Sequence, residues 1–401
     1  MKDNATRSPA TGPLAGVRVI DLTVNVLGPV ATQILGDMGA DIIKVETPQG
    51  DPNRDTGPHR HAGMSAMHMN MNRNKRSVTL NLKRPEAREA LTLLVKDADV
   101  FVHSMRPSAA TRLGIDYAQI SAHNPRIIYA FGPGYRQDGP RADDPAYDDV
   151  LQGESGVAAL MAQVIGEPLY YPTVIIDKLC GYVLASSVSM ALFNRERTGQ
   201  GQEVHVPMYE TILSFNYLEH LWSAAFDPPL GHGVGYVRLL TTHRRPYPTK
   251  DGFICVLAVS DDQWRRLFPV LGCPELIDDH RFAKTAARVQ HYDEIYGIVA
   301  EQLKLRTTQE WRKAFDEIEI PNGPMQSLTQ LLHDPYLQDT GFFQRYEHPS
   351  EGAALTTSVP VHFSRTPGAM RLPPPRLGEH NVEVLQQFGY SDREIAEITG
   401  C

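Results

Sequence analysis

Asp177 stands at a junction. The β-branched run Thr173-Val174-Ile175-Ile176 ends at it, and a long helical pattern follows, closing with Arg195, Arg197 and Gly199. An aspartate in that position has two readings. As a helix cap, its carboxylate accepts backbone N–H groups. As a nucleophile, it is a carboxylate held at a helix N-terminus and ready to attack an activated carbonyl. Local sequence leaves both open. A second group is His243-Arg244-Arg245, in a loop fixed by Pro246 and Tyr247. It is either a solvated charge run or a fork for a substrate carboxylate. Met64, Met67, Met69 and Met71 form a stripe that reads as adaptable packing rather than a soft-metal site. The four cysteines, Cys180, Cys255, Cys273 and Cys401, are scattered, and none of the fifteen histidines falls in an HExxH pattern. That spacing predicts no metal site and no disulfide framework, and a reducing, cytoplasmic setting.

The elements that must position these groups alternate. Short apolar strands are predicted over residues 17–22, 41–46, 77–82, 99–103 and 126–130, with helices at 29–38 and from Pro85 to about Lys96. This β-α-β rhythm predicts an α/β fold, a Rossmann-like large domain with a parallel sheet, plus a smaller α/β domain. Ligands of such sheets bind beyond the carboxyl ends of the strands, so the loops after Leu22, Glu46, Leu82, His103 and Ala130 are the places to look. A strand at 203–206 and a helix from Met208 to about Ala225 follow the long helix. From there the texture changes, with a Gly/Pro-rich turn and amphipathic helices carrying Trp264 and Trp311. The division read from this is 1–225 for the large domain, 226–327 for the small one, and 328–401 for a segment returning to the large domain. That last segment contains a strand at 354–363 and a helix at 381–388.

A chain of 401 residues with 21% charged and 42% hydrophobic residues has an ordinary globular profile. Its net charge of -8 argues against a nucleic-acid surface. No apolar run reads as long enough to cross a bilayer, and residues 1–9 form a polar stretch without a signal-peptide core. Gly231-His232-Gly233-Val234-Gly235 and Gly132-Pro133-Gly134 do not complete a dinucleotide fingerprint, and Gly153-Glu154-Ser155-Gly156 is not a hydrolase elbow.

Several stretches together resemble the class III CoA-transferases, the formyl-CoA transferase and carnitine-dehydratase-like (CaiB/BaiF) family. They are residues 13–23 with Gly28-Pro29, 35–46, 72–77, Arg106-Pro107, Arg112-Leu113-Gly114, Asn124-Pro125-Arg126, 145–148, 195–202 and 377–380. The resemblance implies that Asp177, opening the helix before the Arg-x-Arg-Thr-Gly-x-Gly-Gln segment, is the active aspartate. It maps the CoA pocket onto Val26, Leu27, Leu80, Lys83, Ser104, Met105, Arg106, Arg112, Tyr147 and Asp148. Val26, Leu27, Ser104 and Met105 depart from the glutamine, alanine, asparagine and phenylalanine of formyl-CoA transferase. The glycine-rich loop over the oxalate-handling site there is also missing, which points away from a formyl/oxalate pair. The resemblance further implies an interlocked homodimer, with acyl-CoA and a small carboxylic acid as substrates and no tightly bound cofactor.

The chemistry expected is transfer of CoA from an acyl-CoA donor, succinyl-CoA being one candidate, to an acid, through aspartyl anhydride and aspartyl-CoA thioester intermediates. Oxyanions need backbone donors from a glycine-bearing loop, and the CoA phosphates need cations, for which Lys75, Arg76, Lys83, Arg106 and Arg112 are candidates. Two rivals stand beside it. An α-methylacyl-CoA racemase uses a histidine where this chain has Tyr147, a poor base at neutral pH. The other is a CoA-binding paralogue without chemistry, against which an intact Asp177 argues. If His243-Arg244-Arg245 faces the site, a dicarboxylate acceptor is expected.

Overall fold

A computed structural model describes residues 11–231 and 233–399. Residues 1–9, His232 and Cys401, each used above, lie outside the described residues. The chain divides into two compact units. The first takes the chain through Leu151, then Thr173–Leu213, then the chain from Tyr336 onward; the second is Gln152–Pro172 with Ser214–Pro335.

The first unit is built on six strands, β1 (Arg18–Leu22), β2 (Asp41–Glu46), β3 (Lys75–Thr79), β4 (Val100–His103), β5 (Ile128–Phe131) and β6 (Gln202–His205). The helices over residues 27–220, in chain order, are α1 (Leu27–Asp37), α2 (Ala66–Met71), α3 (Pro85–Lys96), α4 (Pro107–Leu113), α5 (Tyr117–His123), α6 (Asp148–Glu154), α7 (Val157–Ile165), α8 (Ile175–Thr198) and α9 (Met208–His220), of which α7 and the last residues of α6 and α9 fall in the second unit. The strand order is β3-β2-β1-β4-β5-β6, and every pairing is parallel. Ile20 pairs with Ile43 on one side and Phe101 on the other. The central strands read as continuous apolar runs because helices cover both faces: Val19, Ile20, Phe101, Val102, Ile128 and Ala130 are all fully buried. The edge strand β6 alternates between half-buried and exposed residues instead, as one-sided burial requires.

The sheet order reverses between β1 and β4. Chain direction diverges there, and the loops leaving the two strands part to open a crevice at the carboxyl ends. One further contact shapes that crevice. Gly181, in the second turn of α8, lies against α1, and a Cβ there would sit 2.8 Å from the Leu27 carbonyl oxygen. The close approach sets the first turn of α8 beside the N-terminus of α1.

The chain end closes the other face. Val384, Leu385, Ile395 and Ile398 join the core made by Ile20, Ile43, Val78, Leu91, Leu94 and Phe101. Asn381 clamps β3, accepting the Thr79 N–H at 2.8 Å and donating to the Thr79 hydroxyl at 2.9 Å. Two expectations are corrected here. The tail strand is a hairpin, Phe343–His348 with Gly352–Thr357, and the helix at Asn381–Gln387 is followed by another, Asp392–Thr399. A third correction concerns α8. Its 24 residues are long and apolar enough to cross a bilayer by composition alone, yet 44% of its most apolar window is buried inside the protein. Asp177, Lys178, Arg195 and Arg197 near its ends interrupt the apolar run in the sequence.

In the second unit a three-stranded antiparallel sheet, Tyr247–Pro248, Phe253–Val256 and Asn322–Pro324, carries its own core. Trp264, Phe268, Phe282, Tyr296, Trp311 and Phe315 fill it, and the Trp311 indole donates to the Leu303 carbonyl at 2.8 Å. Ser260 with Gln263 and Thr307 with Glu310 form reciprocal caps at two of its helices, each satisfying two otherwise unpaired N–H groups.

Candidate active site

The helix that carries Asp177 begins earlier than its sequence suggests. Ile175 and Ile176 are helical, and Asp177 is the third residue of α8. Asp177 therefore does not cap. Val174 holds the cap position without a side-chain bond, and the acceptor comes from elsewhere: Asp148 Oδ2 takes the N–H groups of Ile176 at 2.8 Å and Asp177 at 3.0 Å. The capping reading belongs to Asp148, whose side chain is buried, and the Asp177 carboxylate is left half-buried at the helix entrance. Burial, and then the negative charge of Asp148, push the Asp177 carboxyl up to about 7. Desolvation and a like charge both disfavour the anion, so the carboxylate formed at neutral pH is more basic than an ordinary aspartate. One turn further along, burial pushes the Cys180 thiol up to about 12, which leaves it inert.

Asp177 lines a cleft of about 330 Å³ at the point where the sheet order reverses. Val24, Asn25, Val26 and Leu27 come from the end of β1, Ser104, Met105 and Arg106 from the end of β4, and Gly132, Pro133 and Gly134 from the end of β5. Tyr147, 69% exposed, stands at the mouth. The β1 and β4 loops are tied together by the Val24 N–H donating to Ser104 Oγ at 3.0 Å. His103 turns the β4 end, its Nδ1 accepting the Met105 N–H at 3.1 Å. Burial, then His205, hold that imidazole down at about 3, so it is neutral. The Gly132-Pro133-Gly134 turn, not a nucleotide fingerprint, is a wall of this cleft. A Cβ on Gly134 would lie 2.3 Å from that of Ala146, so only glycine fits.

Of the residues mapped from the family resemblance, the cleft brings together Val26, Leu27, Ser104, Met105, Arg106, Tyr147 and Asp177. Leu80 and Lys83 line an adjoining apolar slot with Leu22, Val45, Leu82, Met105 and Leu113. Leu80 is buried and Lys83 is exposed. Arg112 lies on the exposed side of α4 and lines neither space; it and Arg106 both act on Asp143, holding that carboxyl below its usual value after the Ser108 hydrogen bonds. Asp148 sits behind α8 as its cap. Lys75 and Arg76 are not available to phosphate. Lys75 is fully buried, 3.3 Å from Asp21 Oδ2, and Arg76 is held by Asp41 and Glu383. His243, Arg244 and Arg245 belong to the second unit. There Arg245 Nε donates to the Thr242 carbonyl at 2.7 Å, and the His243 ring packs over Gly297.

A buried charge network supports the floor of the cleft. Asp21 accepts from the Thr23 N–H, the Thr23 hydroxyl and the Thr32 hydroxyl at 2.8, 2.5 and 2.6 Å. Lys44 reaches the Thr23 carbonyl at 2.7 Å and Asp51 Oδ2 at 3.0 Å. Arg54 clasps Glu46 through two bonds of 2.8 and 2.7 Å, and Ser77 adds a third at 2.6 Å. Burial opposes charge at Asp21 and Glu46, but the cations win. Lys75 and Lys44 hold Asp21 below its usual value, and Arg54 brings Glu46 to about 2. Among the residues that sequence reasoning missed are Asn25, Asn53 and Met208, together with the Gly132–Gly134 wall, which was set aside as an incomplete dinucleotide fingerprint. The one available signal was an asparagine at a strand end, a residue type that tolerates left-handed backbone.

The comparisons agree with this architecture. The family profile described as CoA-transferase family III matches residues 14–381. The succinate–glutarate CoA-transferase of Agrobacterium fabrum is 32% identical over 98% of this chain and 99% of its own. The formyl-CoA:oxalate CoA-transferase of Rhodopseudomonas palustris is also 32% identical, over 97% of this chain and 96% of its own. The crystal structure of Rv3272 from M. tuberculosis superposes with a TM-score of 0.82 at 29% identity, covering 94% of this chain and all of the other. A parallel sheet with a crevice at its order reversal, an aspartate in the first turn of the helix beside it, and a match over nearly the whole chain lead to one conclusion: the chain belongs to CoA-transferase family III.

Proposed function

We propose that this enzyme moves CoA from an acyl-CoA to a short dicarboxylate by covalent catalysis at Asp177. CoA transfer between an acyl-CoA and a carboxylic acid is the activity of the family. The observation that supports the covalent route is the carboxyl of Asp177 at the cleft, raised to about 7 by burial and by Asp148, with no cation among the causes of its shift. Its oxygen attacks the thioester carbonyl, and the C–S bond breaks to give a mixed anhydride and CoA thiolate. The thiolate attacks the aspartyl carbonyl, expelling the donor acid and forming an aspartyl-CoA thioester. The acceptor carboxylate attacks that thioester, and the same steps reverse. Water has to be excluded throughout, since each intermediate hydrolyses.

Developing oxyanions meet the N-terminus of α1, whose first N–H groups carry no side-chain cap, in keeping with the preference of helix N-termini for negative charge. The apolar slot by Leu80 and Leu82, with Lys83 at its rim, suits the nucleotide end of CoA, and Arg106 and Arg112 suit its phosphates. The named relatives act on succinate, glutarate or oxalate, which supports a short dicarboxylate acceptor. The enzyme works as a homodimer in this reading, for Tyr182, Met190 and Phe193 stand exposed along α8, an apolar stripe of the kind that marks interfaces.

The test is intact-protein mass spectrometry after mixing with succinyl-CoA, comparing wild type with Asp177→Ala. A hydroxylamine-sensitive adduct of CoA mass on the wild type alone is expected. No adduct with any acyl-CoA, in an enzyme that still transfers CoA, overturns the covalent route.

A further inference from the structure

Asn25 has an unusual backbone. Its φ is 64°, one of four positive values among the described non-glycine residues. Such a conformation costs on the order of 1 kcal/mol for a residue with a Cβ, and the surroundings hold it in place. The Asn25 N–H donates to Asp51 Oδ1 at 3.1 Å. Its carbonyl accepts from the Asn53 side-chain amide. Asp51 and Asn53 are buried, and Asp51 is anchored by the buried Lys44 at 3.0 Å. Three interior side chains thus fix one surface residue.

What they fix is a free amide. The Asn25 side chain is exposed and has no hydrogen-bond partner among the described residues, and it lines the same cleft as Asp177, Val26, Ser104 and Arg106. If the turn alone mattered, glycine would adopt it without strain. A neutral amide also offers two N–H donors without the charge that would pair with the Asp177 carboxylate and quench it as a nucleophile.

We propose that Asn25 is a substrate-contacting residue whose side-chain amide donates to the acyl oxygen approaching Asp177, that is, the thioester carbonyl or the acceptor carboxylate. This rests on the CoA-transfer reading above and deepens it. The contact strengthens as charge grows on that oxygen, so its loss falls on turnover more than on CoA affinity.

The experiment compares Asn25→Gly with Asn25→Val. Asn25→Gly keeps the left-handed backbone and removes only the amide. Its melting temperature and its calorimetric Kd for free CoA, each within about twofold or a few degrees of wild type, are expected alongside a loss of about 10- to 100-fold in kcat/KM with succinyl-CoA and glutarate. Asn25→Val loses the amide and adds strain, and should fall at least as far in activity while also melting earlier. An Asn25→Gly enzyme with wild-type kcat/KM overturns the proposal and reduces Asn25 to a turn residue. A weakening of CoA binding equal to the kcat/KM loss also overturns it, placing the amide on CoA instead of the acyl group. A wild type that transfers CoA to no acid at all defeats the underlying reading, and it shows before any variant is made.

Discussion

Two sets of carboxylates within one unit are treated in opposite ways. Asp21 and Glu46 lie under the carboxyl ends of the central strands, each matched by buried cations and hydroxyls. Asp177 lies a short way off at the mouth of the same crevice, and its main electrostatic neighbour is another carboxylate, Asp148. Burial acts on all three. Where cations answer it the carboxyl titrates low and the charge serves rigidity; where none does the carboxyl titrates near 7, and there the proposed nucleophile stands. The fold uses its matched charges to make a stiff floor and leaves one unmatched charge on top of it.

The sharpest break of this contrast is Asp177→Asn. On the covalent route proposed above, transfer should fall by at least about 10⁴-fold. The same change should stabilise the fold. An acid whose folded pKa is raised weakens the native state once pH passes its unfolded value near 4, and the penalty is complete above the folded value near 7. Asp177→Asn is therefore expected to gain on the order of 2 kcal/mol at pH 8 and nothing at pH 3.5, read from urea melts at the two pH values. Equal gains at both would mean that charge is not the cause.

The opposite break is Lys75→Met. It leaves Asp21 with less compensation in a fully buried setting, and about 3 kcal/mol of stability should be lost. Urea unfolding measures it, and a loss below about 1 kcal/mol would show that Lys44 and the hydroxyls suffice alone.

Asp148→Asn sharpens the comparison while leaving the Asp177 carboxyl in place. The wild-type kcat/KM should climb from pH 6 to pH 8 as Asp177 ionises around 7. Removing the like charge moves that limb to lower pH, and it should cost about tenfold in kcat/KM at pH 8, since a less basic carboxylate attacks less readily. A limb that stays at 7 would assign the whole shift to burial. The smallest effect is expected at the rim. Arg106→Gln and Arg112→Gln should each raise the Kd of CoA by about fivefold at low salt, and that difference should shrink in 0.5 M salt. Salt-independent losses would remove the phosphate role.

The parallel sheet was legible because its strands are apolar runs bounded by turns, and β2 falls on its predicted residues 41–46. Asp177 was singled out only through the motif around Arg195 to Gln202, since its local sequence left cap and nucleophile both open, and the structure sets it in the cleft. That cap belongs to Asp148, 29 residues away along the chain, and no window of sequence reports so distant a hydrogen bond. Lys75 and Arg76 misled for a related reason. Most lysines and arginines are exposed, and these two are buried by partners, Asp21 and Asp41, that lie more than thirty positions earlier. The segment Gln152–Pro172, grouped with the second unit, carries no compositional mark of that excursion. Asn25 was missed because its type tolerates a left-handed backbone without requiring one, and the side chains that hold it there, Asp51 and Asn53, lie 26 and 28 positions further along the chain.

The clamp between Asn381 and β3 has a consequence for the birth of the molecule. Val384, Leu385, Ile395 and Ile398 complete a core whose other members begin at Ile20, so the core of the first unit gains these helices only after the second unit, which lies between them in sequence, has been made. The second unit, made in between, has its own aromatic core and can close earlier. The core of the first unit, begun before the second unit, is thus completed after it, and the patch that these four residues cover stays open while the second unit is made, a period in which a chaperone has most to protect.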